Sequence, residues 1–360
     1  MSSSDSLSDL EGLSDWSTSD SDEESNRRSY KVRVDHFNTL DFYEFQVRFR
    51  LDKTSVQQLL DEIYPYLTVK STRNHGIKPL HQLLLTLRFY ALGTMLLSVA
   101  DFAGVSKASA CRIVYDVSCA IAQLYNKYIY MQTNTEQDFY EIARFPRVLG
   151  ALDGTHIRIQ SPCSHTGEEF RNRKGYFSLN VQAVCNAKLL FMNVVARWPG
   201  SAHDATIFNN SELRAQCESG LYGTKWLLAD SAYPLKPYLL TPLLNPQSRG
   251  EQLYNVAHIR TRNCIERCFG VWKRRFPVIG LTMRLSLNRI HAVIIATAVL
   301  HNICRLHKLD DIPPEVEVPN EEVPILNSIE EPNNTCTERA TLIMDFFNNL
   351  SSHGQPFSTG

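Results

Sequence analysis

Nowhere does this sequence offer the roughly 18–20 consecutive apolar residues that carry a helix across a bilayer. The longest apolar run in its second half is Ala292–Leu300, and Thr297 already breaks it. No secretory leader is expected either. The first 25 residues are rich in Ser and Asp and contain no Lys or Arg, so the basic start and apolar stretch of a signal peptide are both lacking. The nine cysteines are odd in number and scattered, which is no disulfide framework and indicates a reducing, intracellular compartment. No internal repeat is apparent. What is present is an ordinary globular composition, in a chain of 360 residues that can hold two or three domains and a large core.

Positive charge is unevenly distributed. Residues 1–25 hold eight acids and no base, and residues 310–360 hold ten acids against the single base Arg339. Chain totals of 38 acids and 37 bases therefore leave 20 acids and 36 bases between residues 26 and 309, a net of +16. A body that basic attracts a polyanion, and nucleic acid is the commonest one inside cells. The bland alternative is that these bases merely keep a large domain soluble.

The chain divides by texture. Residues 1–29 form an acidic, Ser-rich segment expected to be disordered. Residues 30–145 read as a helical domain. Thr54-Ser-Val-Gln57 has the form of a capping box ahead of Val56, Leu60, Ile63 and Leu67, and Pro79 suits the first turn of an apolar helix over 80–92. From Arg147 the pattern changes, with strands expected over 147–160, 178–186, 189–198 and 225–230. Helices are expected over roughly 204–218, 255–276 and 286–308. Residues 146–308 thus read as an α/β domain, and 309–360 as an acidic, proline-containing tail.

Within the helical front, residues 97–118 are a helix-turn-helix candidate. Ala100 is small where two helices would cross, and Gly104 permits a left-handed turn. Val105 would fill the space between the helices and Ser106 would cap the second one. That helix carries Lys107 and Arg112 on a face able to meet DNA. A plain helical hairpin has the same outline.

Four acids carry the candidate chemistry. Asp153 interrupts the apolar strand Val148-Leu-Gly-Ala-Leu-Asp-Gly-Thr-His-Ile-Arg158, where a carboxylate is costly without a compensating cation. Asp230 ends a second apolar strand, at the end where α/β sheets bind ligands. Glu266 lies in a basic and aromatic helix, and Asp204 opens another. Convergent carboxylates can hold hard divalent ions and support phosphodiester cleavage. Any one of them alone is more often a surface ion-pair partner.

Six stretches bring a resemblance into view: Gly150-Ala-Leu-Asp-Gly-Thr-His156, Arg173-Lys-Gly-Tyr-Phe-Ser-Leu-Asn-Val-Gln-Ala-Val-Cys185, Pro199-Gly-Ser-Ala-His-Asp204, Leu228-Ala-Asp-Ser-Ala-Tyr-Pro234, Ile265-Glu-Arg-Cys-Phe-Gly-Val-Trp-Lys-Arg-Arg-Phe-Pro277 and Leu300-His-Asn-Ile-Cys304. In this order they resemble the PIF/Harbinger transposase family, and in particular its domesticated transposase-derived nucleases. The resemblance covers about residues 145–308, with a fainter likeness over 40–127. It implies an α/β RNase H-like catalytic domain, a mixed sheet flanked by helices, behind an all-α domain containing the helix-turn-helix. It also implies a DDE triad on Asp153, Asp230 and Glu266, an accessory metal-associated acid at Asp204, and Mg²⁺ or Mn²⁺ as cofactor. The implied partners are DNA and a Myb-like DNA-binding protein that carries the nuclease into the nucleus.

The expected function is a metal-dependent DNA endonuclease, derived from or acting as a transposase. The alternative is a catalytically silent DNA-binding or scaffold protein that keeps the fold. The compact basic cluster Lys273-Arg-Arg275 falls on the expected Glu266 helix, so a mixed nuclear and cytoplasmic location is expected. His156 and His203 are expected to orient neighbours, since metal-activated water needs no histidine base. Arg171, Arg173 and Lys174 either contact phosphates or simply coat a hairpin. Cys264 with Cys268, and His301 with Cys304, have helical spacing that could form a zinc site, although buried core cysteine is the commoner outcome.

Overall fold

The computed structural model describes residues 33–67, 76–162, 167–309 and 336–352. The acidic segment 1–29 and the proline-rich stretch within 310–335 lie outside the described residues. Five strands make one mixed sheet: β1 (Val148–Arg158), β2 (Ser178–Cys185), β3 (Phe191–Pro199), β4 (Trp226–Leu228) and β5 (Leu239–Leu240). Their order is β3-β2-β1-β4-β5. β1, β2 and β3 are antiparallel neighbours, whereas β4 runs parallel to β1 and β5 parallel to β4.

Both faces of the sheet are covered, so β2 alternates polar Ser178, Asn180 and Gln182 with apolar Leu179, Val181 and Ala183 and exposes neither set. All eight residues of β2 are buried. One face packs on the 27-residue helix Arg249–Arg275 and shares a single apolar core with the helical front. The other face holds Leu149, Leu152, Val184 and Leu227 against Phe208 and Leu213, from the short helices Asp204–Asn209 and Glu212–Glu218.

Several helices of the front begin at legible signals, with one displacement. Helix Lys53–Ile63 is capped by Asp52, whose carboxylate accepts the Ser55 N–H at 2.7 Å. The expected box at Thr54-Ser-Val-Gln57 therefore lies inside the helix. An aspartate at the boundary is the stronger acceptor and starts the helix earlier. Pro79 does occupy the first turn of helix Pro79–Leu92. Helices Leu96–Phe102 and Lys107–Ala122 are joined through Gly104 at φ +64°, and the Ser106 hydroxyl accepts from the Ser109 N–H.

Two further regions complete the fold. Helix Leu287–Leu306 is long and apolar enough, by length and composition alone, to cross a membrane, but most of it is buried inside the protein. It packs against β3 and against Lys107–Ala122, which accounts for its low polarity. The second region lies in the expected tail 309–360, where residues 336–352 are folded. A π turn at Ile343–Phe347 and helix Asn348–Ser352 pack on the Arg249–Arg275 helix, and helix Thr337–Leu342 packs on the π turn. Phe347 is fully buried between Phe145 and Tyr254, with ring centroids 5.6 Å from each. Leu342, Ile343 and Phe347 supply the apolar contacts that hold this segment, within a tail whose average composition is polar.

Candidate active site

The parallel pairing of β1 with β4 puts Ala151 beside Leu228. Two residues further along each chain stand Asp153 and Asp230, so the register makes neighbours of acids 77 positions apart. Asp153 sends its side chain toward the Arg249–Arg275 helix. Its Oδ2 takes the Arg262 guanidinium at 3.0 Å, and its Oδ1 accepts the Gly154 N–H at 2.7 Å. Glu266 lies one turn beyond Arg262 on the same helix and accepts from the other end of that guanidinium at 2.5 Å.

Electrostatics bind these acids into one cluster. Burial raises the Asp153 carboxyl to about 7; Arg262 opposes the rise, and Asp230 and Asp204 add to it. Burial likewise raises Asp230. The Ala232 N–H and Arg262 pull it down, while Asp204 and Glu266 push it up. A site that collects carboxylates against their own repulsion favours a bound cation.

Asp204 comes from the opposite side. Strand alternation turns the Gly154 position away from the long helix, and a Cβ added there would meet Asp204 Oδ1 at 2.3 Å. Asp204 thus sits against the Gly154 backbone. Asn180 donates to its Oδ1 at 2.8 Å, and Gln182 donates to its main-chain carbonyl at 3.1 Å. A cavity of about 400 Å³ opens on this side, lined by His156, Asn172, Arg173, Lys174, Asn180 and His203, among others. His156 is hydrogen-bonded to Ser178, and His203 to Arg173. Arg171, by contrast, forks onto Glu168.

Among the described residues, no group of three or more His, Cys, Asp or Glu side chains stands close enough to hold a metal ion as arranged. The donor chemistry nevertheless suits a hard divalent ion. The donors are carboxylate oxygens, two of them partly buried, and the cation now among them is a guanidinium. The sulfur pairs form something else. Cys185 lies 3.7 Å from Cys264, and Cys268 lies 3.6 Å from His301 Nε2, but that nitrogen is committed to the Leu189 carbonyl at 2.7 Å. These thiols are buried core groups.

Lys107 and Arg112 are exposed on the second helix of the helix-turn-helix candidate, and no hydrogen bond or ion pair joins them to the acids. The residues that sequence reasoning overlooked are Arg262, Asn180, Gln182 and Lys273. Lys273 donates to Thr155 Oγ1 at 2.6 Å and to the His156 carbonyl at 3.1 Å. For Arg262 a signal existed: it stands four residues before Glu266, the spacing that joins opposite charges on a helix.

The family model described as DDE superfamily endonuclease matches residues 152–302, a span that contains all four acids. HARBI1 of Bos taurus is 32% identical over 278 residues, covering 75% of this chain and 79% of its own length. HARBI1 of Homo sapiens is 32% identical over 264 residues, covering 71% and 75%. An ALP1-like protein of Arabidopsis thaliana is 30% identical over 181 residues, covering 46% and 45%. No solved structure matches the chain. With acids arrayed on such a sheet and relatives matching over most of their length, the chain belongs to the Harbinger transposase-derived nuclease family.

Proposed function

We propose that this protein is a metal-dependent DNA endonuclease with an RNase H-like catalytic domain, in which Asp153, Asp230 and Glu266 form the catalytic triad. The observation that carries the reading is the convergence of Asp153 and Asp230 across the β1–β4 pair, with Glu266 reaching them through Arg262. The sheet order supports it, since three antiparallel strands are followed by one parallel to the first. Asp153, Asp230 and Glu266 would hold Mg²⁺ or Mn²⁺, with Asp204 as an accessory acid behind Gly154. When bound, such an ion supplies Lewis-acid activation of the phosphodiester and of the attacking water.

The rest of the work falls to the chain's own groups. β1 and β4 fix the two aspartates at one spacing, and the long helix sets the height of Glu266. Arg173 and Lys174, at the cavity beside Asp204, are placed to take phosphate oxygens of the same strand. The basic central body draws in DNA, Lys107 and Arg112 add contacts from the helix-turn-helix, and a Myb-like partner supplies the remaining recognition. The same partner shifts a nuclear and cytoplasmic distribution toward the nucleus.

The test is plasmid nicking with Mg²⁺ or Mn²⁺, comparing wild type with Asp153→Asn and with the partner supplied. The variant should lose activity by orders of magnitude, as expected where cation placement carries several kcal/mol of transition-state stabilisation. Equal nicking by both proteins removes the triad assignment. A second reading, a DNA-binding scaffold without turnover, draws on one observation: Arg262 already bridges two of the three acids. No nicking by wild type with DNA, metal and partner all bound would select that reading.

A further inference from the structure

We propose that Arg262 is a resident counter-ion which a divalent metal must displace, so that metal uptake and release of this guanidinium are one coupled event. The inference rests on the metal-dependent reading above. Its basis is that one side chain holds two of the proposed ligands at once, Asp153 Oδ2 at 3.0 Å and Glu266 Oε1 at 2.5 Å. Arg262 and Asp153 are each only 15% exposed, whereas Glu266 is about half exposed. The pair on the Asp153 side is therefore largely shielded from water, where a charge without a partner is expensive.

Without a cation, Asp153, Asp230 and Glu266 would face one another as like charges. Lys273, another basic side chain running from the same helix to β1, gives its ammonium group to Thr155 and to the His156 carbonyl. Arg262 thus neutralises the cluster from within. The guanidinium occupies Asp153 Oδ2 and Glu266 Oε1, and its positive charge repels a divalent ion drawn to the same two carboxylates. Arginine stays charged throughout the physiological range, so the competition is settled by position and not by loss of a proton. Each ligand must then weaken the other by the same factor. The arrangement holds the metal-free fold together, and it lowers metal affinity as the consequence.

The experiment titrates Mn²⁺ into the full chain by calorimetry and follows thermal melting, for wild type, Arg262→Gln and Arg262→Lys. Arg262→Gln should bind Mn²⁺ about tenfold more tightly. Its metal-free form should melt lower than wild type, and saturating Mn²⁺ should raise its melting temperature by more. Arg262→Lys keeps the charge but loses the fork, and should fall between the two. Should Arg262→Gln fail to fold without metal, Arg262→Lys alone decides, and a Mn²⁺ affinity equal to wild type would overturn the proposal. Equal binding by wild type and Arg262→Gln that Asp153→Asn abolishes would overturn displacement while leaving the metal site standing. Absence of Mn²⁺ binding from every variant would remove the metal reading, and this inference with it.

Discussion

Asn302 completes the backbone of Phe191. Its Oδ1 accepts the Phe191 N–H at 2.8 Å, and its Nδ2 donates to the Phe191 carbonyl at 2.7 Å and to the Tyr128 carbonyl at 2.7 Å. β3 is an edge strand, and this amide occupies hydrogen-bonding groups that a further strand would otherwise meet. Asn302→Ala should therefore destabilise the protein by about 3 kcal/mol, because three backbone groups, two of them buried, lose their partner together. Urea unfolding measures it, and a change below about 1 kcal/mol would show that water replaces the amide.

Acid sensitivity should trace to His258. Its Nε2 bonds to the Leu240 carbonyl at 3.0 Å, its Nδ1 is buried without a partner, and burial depresses the imidazole from its ordinary 6.5 to about 3. The sign follows from where protons bind. Between pH 6.5 and about 3 the unfolded chain takes up a proton that the folded one refuses. Stability is thus intact above 6.5 and falls by up to about 1.4 kcal/mol per pH unit below it, until the folded state titrates near 3. Denaturation midpoints across this range, for wild type and His258→Phe, should show a shallower acid slope in the variant.

Gly154→Ala should separate fold from chemistry. The new methyl would collide with the Asp204 carboxylate, the movable end of a side chain, so the strand can keep its course while the acid is pushed aside. We expect a loss of about 1 kcal/mol in stability and a fall in nicking of roughly tenfold or more. Undiminished nicking by a folded variant would remove Asp204 from the accessory role.

For the front domain, a Lys107→Gln/Arg112→Gln double variant should bind DNA more weakly. Its plot of log affinity against log salt should be shallower by about 2, one unit for each lost phosphate contact. An unchanged affinity and slope would reduce the pair of helices to a plain hairpin.

Much of the sheet was legible because its strands are rich in β-branched and other apolar residues and bounded by turns, and Asp153 and Asp230 stood out as acids within or ending such segments. The two-residue β5 was not legible, since Leu239–Leu240 has no pattern of its own and pairs only because β4 lies alongside. Residues 336–352 were hidden by the acidic, proline-containing stretch before them: a short apolar segment at the end of such a tail does not register as folded until Tyr254 and Phe145 are there to receive Phe347. The motif Leu300-His-Asn-Ile-Cys304 was recognisable as a sequence, yet its role was not. Only the fold shows Asn302 serving a strand edge and His301 bonding a turn carbonyl, each more than 100 residues away in sequence.

The contact between Phe347 and the long helix also bears on how the protein is made. Translation delivers Arg249–Arg275 well before the segment that covers its Tyr254 and His258 face. On the ribosome, the side of that face away from Phe145 stays bare after the sheet and Glu266 have already emerged. The opening turn of the helix is self-sufficient, because Ser248 and Glu251 cap it reciprocally. Its flank is not, because Gly250 leaves room there for Asn348 to approach more closely than any side chain would allow. Vectorial synthesis therefore produces the acids first and their support last. A nascent chain halted before residue 347 would display an adhesive aromatic patch at Tyr254, the kind of surface that recruits chaperones.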